Sequence, residues 1–308
     1  MKHISVLLEE SINNLNLHDD SIIVDCTLGY GGHSSVILER IKMGHLFAFD
    51  QDSEAIRYST DRLSRIGTNF TIINSNFVNL EKELDKVNCH KVDGVLFDLG
   101  VSSPQLDEGE RGFSYHEDAR LDMRMNQNQK LSAYEVVNNY SYSELVNIFY
   151  KYGEDKFSRN IAKKICEYRE EKSIETTLEL VEIIKSAVPM KFRRDKHPAR
   201  QIFQAIRIEV NHELDVIEPA LEQSLKLLNV GGRVCVITFH SLEDRLVKNY
   251  FRNVTKIDPK VSGMPNIPDE YLPDFKLICN KAIIPSKEEL ENNPRARSAK
   301  LRVIERIK

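Results

Sequence analysis

The chain reads as an α/β protein, a doubly wound, Rossmann-like sheet into which an all-helical subdomain is inserted. Three observations predict this. Short apolar runs alternate with amphipathic stretches through the first hundred residues. The alternation stops between Ser132 and Asn211, where only helical patterns occur, and then resumes. The first apolar run ends in a glycine-rich turn that opens a helix, where sheets of this class receive ligands.

In chain order, Ser21–Cys26 is a short buried strand, followed by a helix from about His33 to Lys42. His45–Asp50 is a second strand, and Asp52-Ser53 caps a helix running to about Ile66. Phe70–Ile73 and Val92–Asp98 complete four parallel strands. Helical segments follow at Tyr142–Lys151, Lys156–Arg169 and Thr177–Ala187, and Ile202, Ile206, Val210 and Leu214 form one apolar stripe. A helix then ends near Leu228, Gly231-Gly232 turns the chain, and Arg233–Thr238 is a fifth strand. Late strands are expected at Phe275–Cys279 and Leu301–Ile307, with a loop over Pro259–Pro273 between them. Residues 1–131 and 212–308 are thus expected to form the sheet domain, and 132–211 the insert.

Bulk properties narrow the setting. With 308 residues, 41% hydrophobic and 29% charged, the chain is long and apolar enough for a packed core. No apolar run approaches the roughly 20 residues of a membrane helix. Glu9 and Glu10 interrupt any apolar leader. Cys26, Cys89, Cys166, Cys235 and Cys279 are scattered, which suits a reducing cytoplasm and opposes a disulfide framework or a zinc site. No HxxxH or Cys/His cluster appears, so no metal is expected. A net charge of −4 leaves nucleic-acid contact to local patches. Lys185–Arg207 has seven Lys/Arg against one acid, and Arg295–Lys308 has six against one, although such runs are also common solvated faces.

The most informative stretch is Asp25-Cys26-Thr27-Leu28-Gly29-Tyr30-Gly31-Gly32-His33-Ser34. Dinucleotide sites need a third glycine where this chain has Ser34, which disfavours NAD(P). Asp50 closes the second strand 19 residues after Gly31 and is placed either to accept both hydroxyls of a ribose or to cap the next helix. Phe77, after the third strand, stacks on an adenine or simply packs. Leu227–Arg233 is a turn common in methyltransferases of this sheet type. Asp98 ends the fourth strand ahead of Ser103-Pro104, where amino-directed methyltransferases hold acceptors for the N–H groups of a poorly nucleophilic amine. Phe239-His240-Ser241 lacks the GxSxG elbow of a hydrolase, and Ser241 with Asp244 reads instead as a helix start.

Asp98–Asp107, Glu110-Arg111-Gly112-Phe113-Ser114 and Leu121-Asp122-Met123-Arg124-Met125 form a nearly continuous signature. Gly31–Ser34, His197-Pro198-Ala199, Phe203–Ile208, Val210-Asn211 and Phe239–Arg245 extend it. Over almost its whole length the chain resembles the bacterial ribosomal-RNA small-subunit methyltransferase H family, also called MraW. The resemblance implies a class I methyltransferase fold and transfer of a methyl group from S-adenosyl-L-methionine to N4 of a decoding-centre cytidine in 16S rRNA. It implies donor contacts at Gly31, Gly32, His33, Asp50, Phe77, Asp98 and Gln105, of which His33 and Gln105 rest on it alone. Asp98 is the catalytic candidate. Asp122 and Arg124 either pair with each other or hold the target nucleotide. Lys196 and His197 precede a helical stripe of Arg200, Gln204, Arg207 and Asn211, which is either a solvated face or an RNA-contacting one. The expected partner is 16S rRNA in the small subunit, with no membrane and no DNA, and a homodimer is compatible with the sequence. An NAD(P) oxidoreductase and a silent RNA-binding factor are the competing readings.

Overall fold

The computed structural model describes residues 5–102, 105–106, 109–193, 197–257, 259–261 and 264–308. The chain forms two units, residues 1–100 with 214–308 and residues 101–213.

In the first unit, α1 (Leu8–Asn14) precedes β1 (Ile22–Asp25), α2 (Gly32–Arg40), β2 (His45–Asp50), α3 (Ser53–Ser64), β3 (Phe70–Asn74), α4 (Leu80–Lys86) and β4 (Val92–Asp98). The sheet is seven-stranded in the order β3-β2-β1-β4-β5-β7-β6. Strands β1 to β5 are parallel, whereas β7 runs antiparallel to both β5 and β6. The fold is an α/β, Rossmann-like doubly wound sheet. Alternation along the strands feeds two cores. Val24, Phe47, Val95 and Phe97 belong to one, and Ile23, Leu46, Ala48 and Leu96 to the other, as a parallel sheet covered on both faces requires. The strand order reverses between β1 and β4, which puts the ligand crevice of such sheets at their carboxyl ends.

The second unit carries five helices among the described residues: α5 (Ala133–Asn139), α6 (Tyr142–Lys151), α7 (Ser158–Arg169), α8 (Thr177–Ala187) and α9 (Ala199–Asn211). Three of them begin with a reciprocal capping box, Ser132/Glu135, Ser141/Glu144 and Thr176/Glu179. The segment 101–131, placed with the sheet by its sequence, clusters with these helices instead. One reason is local: Leu121 N–H donates to Glu175 O, and Asp122 O accepts from Ala133 N–H.

Back in the first unit, α10 (Ile217–Leu227) leads into β5 (Leu228–Thr238), then α11 (Ser241–Val254), β6 (Phe275–Leu277), α12 (Lys287–Asn292) and β7 (Lys300–Arg306). The expected turn at Gly231-Gly232 is an irregularity inside β5. Register shifts between Val92↔Leu228 and Gly94↔Arg233, and Gly231 takes φ +86° to absorb the extra residues. The start of α11 also differs from expectation. His240, not Ser241, is its N-cap, with Glu243 completing the capping box.

Asp244 ties α11 to β7, because its oxygens lie 2.8 Å from Lys300 Nζ and 2.7 Å from Arg302 Nε. These partners hold its carboxyl below the usual range despite burial. Replacing Asp244 by Ala strands two cations, one of them well covered, and is expected to cost about 2–3 kcal/mol in urea denaturation. Because the folded pKa is depressed, this contribution is present above the ordinary carboxylate value of 3.8 and is lost as pH falls through the lower folded value. A parental midpoint for Asp244→Ala at neutral pH would show that the tie contributes nothing.

Candidate functional site

Four consecutive strand ends carry polar groups to one edge of the first unit's sheet. After β1 the chain turns through Gly29 (φ +48°) and Gly31 (φ +73°), and Gly31 is the N-cap of α2. Only glycine holds that left-handed conformation without strain. At Gly32 the contact is with a side chain: a Cβ there would lie 1.8 Å from Ser5 Oγ, so the Ser5 hydroxyl would have to turn away. The loop is held from outside. Ser59 Oγ donates to Gly29 O (2.6 Å), and Arg62 Nη1 donates to Tyr30 O (3.1 Å).

Asp50, at the end of β2, accepts from Gly29 N–H (2.8 Å) through Oδ2 and from Asp52 N–H (2.9 Å) through Oδ1. It is not the helix cap; Asp52 is, accepting from Glu54 N–H. The Gln51 N–H is a third backbone donor to this carboxyl, and since a carboxylate has about four lone-pair positions, acceptor capacity remains for a ligand hydroxyl. Burial pushes the Asp50 carboxyl up to about 6. After β3, Asn76 caps a single 3₁₀ turn, Phe77–Asn79, and the Phe77 ring meets Phe97 edge-on at 5.5 Å. Phe77 therefore packs on the core and remains half-buried.

Asp98 ends β4. Its backbone N–H donates to Thr27 Oγ1 at 2.6 Å. The Thr27 hydroxyl faces Asp25 Oδ1 at 3.4 Å, and Thr27 N–H donates to the same oxygen at 3.0 Å. Ser34 Oγ donates to the other Asp25 oxygen at 2.7 Å. The residue that replaces a third glycine thus anchors a buried carboxylate. His33 is the second residue of α2 and not its cap. It is buried, with Nδ1 3.6 Å from Asp98 Oδ2, a charge-pair distance too long for a hydrogen bond. Asp98 Oδ1 is buried and has no hydrogen-bond partner among the described residues. Burial, then Asp25, then Glu243 push the Asp98 carboxyl well above its ordinary range. Glu243 is itself buried and accepts from Phe239 and His240 N–H groups, and His240 Nε2 lies 3.0 Å from its other oxygen. The sequence reading missed Asp25, Thr27 and Glu243. For Asp25 the available signal was an acid at a strand end, the position that also picked out Asp50.

This arrangement gathers Gly31, Gly32, His33, Asp50 and Asp98 in one unit, with Phe77 after the neighbouring strand. Desolvated carboxylates at a strand-end crevice favour a ligand that brings a cation and hydroxyl donors.

The other candidates belong to the second unit. Gln105 is buried, and its Oε1 accepts from Ser102 N–H at 3.0 Å, closing a local turn. Ser103, Pro104 and Lys196 lie outside the described residues. Asp122 and Arg124 pair with each other in a bidentate bridge (2.9 and 2.6 Å), and Arg124 Nη1 also reaches Gln129 O. The nucleotide-holding alternative therefore does not describe their ground state. The stripe on α9 also turns inward. Gln204 donates to Tyr152 O, Arg207 forms a bidentate pair with Glu213, and the buried Asn211 bridges Met123 O and Met125 N–H. Helix α9 packs on α5, α6 and α8, so polar residues at this spacing are absorbed by neighbours. Arg200 alone of the four is exposed. His197 stacks on Tyr115 at 4.8 Å, and burial lowers its pKa.

The sequence profile of the MraW methylase family matches residues 1–307. A protein of Exiguobacterium sibiricum named ribosomal RNA small subunit methyltransferase H is 54% identical over 308 residues, covering 100% of this chain and 99% of its own. An rRNA methylase structure from Streptococcus thermophilus aligns over 99% of both chains at TM-score 0.46 and 14% identity. An S-adenosylmethionine-dependent O-methyltransferase from Thermotoga maritima covers 100% of this chain and 68% of its own at TM-score 0.43 and 9% identity.

The hydroxyl between the two strand ends gives a direct test. Thr27→Val keeps the shape but leaves the Asp98 N–H without its acceptor and removes a donor from Asp25. It is expected to cost about 1–3 kcal/mol in denaturant unfolding, with Thr27→Ser close to the parent. Equal stability of Val and Ser variants would contradict the bridging role.

Proposed function

The chain belongs to the MraW methylase family, and on that premise we propose that it transfers a methyl group from S-adenosyl-L-methionine to N4 of a decoding-centre cytidine in 16S rRNA of the small ribosomal subunit. The observation that carries the reading is Asp98, a half-buried strand-end carboxyl whose buried Oδ1 has no hydrogen-bond partner among the described residues and lies beside two buried acids. The residues present fit the donor. In this reading the Gly29–Gly32 turn lets the donor approach the backbone, Asp50 accepts from its ribose hydroxyls, and Phe77 lines the adenine side. Bound there, S-adenosylmethionine supplies an electrophilic methyl group on a cationic sulfonium.

The remaining work falls to the protein. An exocyclic amine delocalises its lone pair into the ring, so an acceptor on its N–H restores nucleophilicity as the methyl arrives. Asp98 Oδ1 is that acceptor in this proposal, and a carboxyl with a raised pKa is a competent resting place for the amine proton. His33 Nδ1 lies beside Oδ2 at 3.6 Å, close enough for a charge contact when the imidazole is protonated. Gln105 is kept as a donor contact on the strength of the family resemblance. The substrate side rests on the name of the 54% identical relative and on the resemblance, with Arg200 and His197 as the retained RNA contacts. Asp122, Arg124, Gln204, Arg207 and Asn211 shape the second unit from within. The reading places the enzyme in the cytoplasm, in keeping with the absence, among the described residues, of any helix long and apolar enough to cross a membrane.

Small subunits lacking the modification, incubated with labelled donor and digested to nucleosides, are expected to carry label in N4-methylcytidine. Label in another nucleoside overturns the target, and no label overturns the reading. Asp50→Ala is expected to weaken S-adenosylhomocysteine binding about ten- to a hundredfold, as losing roughly 1.5–3 kcal/mol of charged hydrogen bonding implies. The ionised Asp50 is the better acceptor and its folded pKa is about 6. Parental affinity should therefore rise as pH increases through about 6, while Asp50→Ala loses this component of the rise. Identical profiles in a folded variant would remove Asp50 from the ribose.

A further inference from the structure

Two segments of the second unit meet: the turn before α7, and the 3₁₀ turn Met190–Phe192 that comes after α8. The Phe157 and Phe192 rings lie 5.2 Å apart at 54°. Lys156 Nζ sits 3.9 Å from the Phe192 centroid and 5.3 Å from that of Phe157, and Lys191 Nζ is 5.0 Å from Phe192. Met190 is 75% exposed and Phe192 38%.

Neither lysine has a carboxylate partner among the described residues. Several other lysines of this unit do: Lys163 and Lys164 share Glu167, Lys172 takes Glu179, and Lys185 takes Glu182. Asp155, beside Lys156, is turned inward onto Phe157 N–H, and burial raises its pKa. Two ammonium groups thus share one exposed ring, and among the described residues neither forms an ion pair with a carboxylate, Asp155 attracting Lys156 only through space. Cation–π attraction at an exposed site is weak, so a fixed anion gains both charges at little loss.

We propose that Lys156, Phe157, Met190, Lys191 and Phe192 form an RNA-docking surface. The two ammonium groups take backbone phosphates of a single-stranded segment, and Phe192 with Met190 takes a base. Cations interleaved with an exposed aromatic are what a single strand needs, one for its backbone and the other for its bases. A chain of net charge −4 has no general attraction for a polyanion, so local surfaces of this kind must supply it. The proposal rests on the rRNA-substrate reading and deepens it by naming where the strand lies.

The test titrates a fluorescent single-stranded 16S rRNA fragment with the full chain at several salt concentrations. Lys156→Ala/Lys191→Ala should bind more weakly, with the slope of log affinity against log salt reduced by about 1.4, roughly 0.7 for each phosphate contact. Phe192→Ala should weaken binding about tenfold with the slope unchanged. S-adenosylhomocysteine affinity reports folding and should match the parent in all variants. A parental slope in the double variant overturns the surface. So does a parental slope accompanied by altered sedimentation, which would assign these residues to a protein contact or a second copy. Methyl incorporation by the parent is scored separately. Its absence overturns the substrate reading, and the salt slope still decides the surface.

Discussion

The first unit is organised around three carboxylates that water cannot fully reach. Asp25 and Asp98 end neighbouring strands, β1 and β4, and Glu243 stands at the head of α11. Charges withdrawn from water cost several kcal/mol each unless hydrogen bonds or opposite charges compensate. The local structure around them supplies that compensation: Thr27 and Ser34 serve Asp25, and the Phe239 and His240 amides serve Glu243. The compensation stops at Asp98 Oδ1. A group kept this way in a strand-end crevice is what a cationic ligand exploits, since a positive charge there relieves desolvation and mutual repulsion together.

The same constraint explains the glycine turn. Its backbone is fixed by Asp50, Ser59 and Arg62 before any ligand arrives. Binding then does not have to meet the entropy of ordering a loop. Asp50 anchors the loop, and in the proposed reading its remaining lone-pair capacity meets the ligand. It is legible in sequence as a strand-end acid but not as a loop anchor, because its partner is 21 residues away.

How much the sequence conveys depends on the range of the interaction. β2, β4, α6 and α8 have the bounds that periodicity and capping residues indicate. The Asp52 cap is likewise a contact two residues long. Tertiary features were less legible. The passage of β5 through Gly231-Gly232 depends on pairing with β4, and the antiparallel β7 depends on chain return. Helices α1 and α4 are only seven residues each and give little periodicity. The α9 stripe shows the limit most clearly. Arg200, Gln204, Arg207 and Asn211 look like a polar face at helical spacing, yet the helix is covered on several sides. Spacing identifies residues that share a face, and only the neighbours decide whether that face meets solvent. The exposed Lys156–Phe192 contact joins segments about thirty-five residues apart and has no local pattern at all.

The central claim is that Asp98 acts on the incoming amine as well as on the donor. Single-turnover methylation of small subunits and S-adenosylhomocysteine titration, run in parallel on the parent and Asp98→Asn, test it most directly. The amide keeps one acceptor oxygen and nearly the same shape while removing the charge and the proton site. The expected result is a fall in the methylation rate of about a hundredfold or more, the size typical of a lost transition-state contact, with donor affinity changed by less than about tenfold. A fall of both quantities by the same factor would contradict the claim and leave Asp98 as a donor ligand alone.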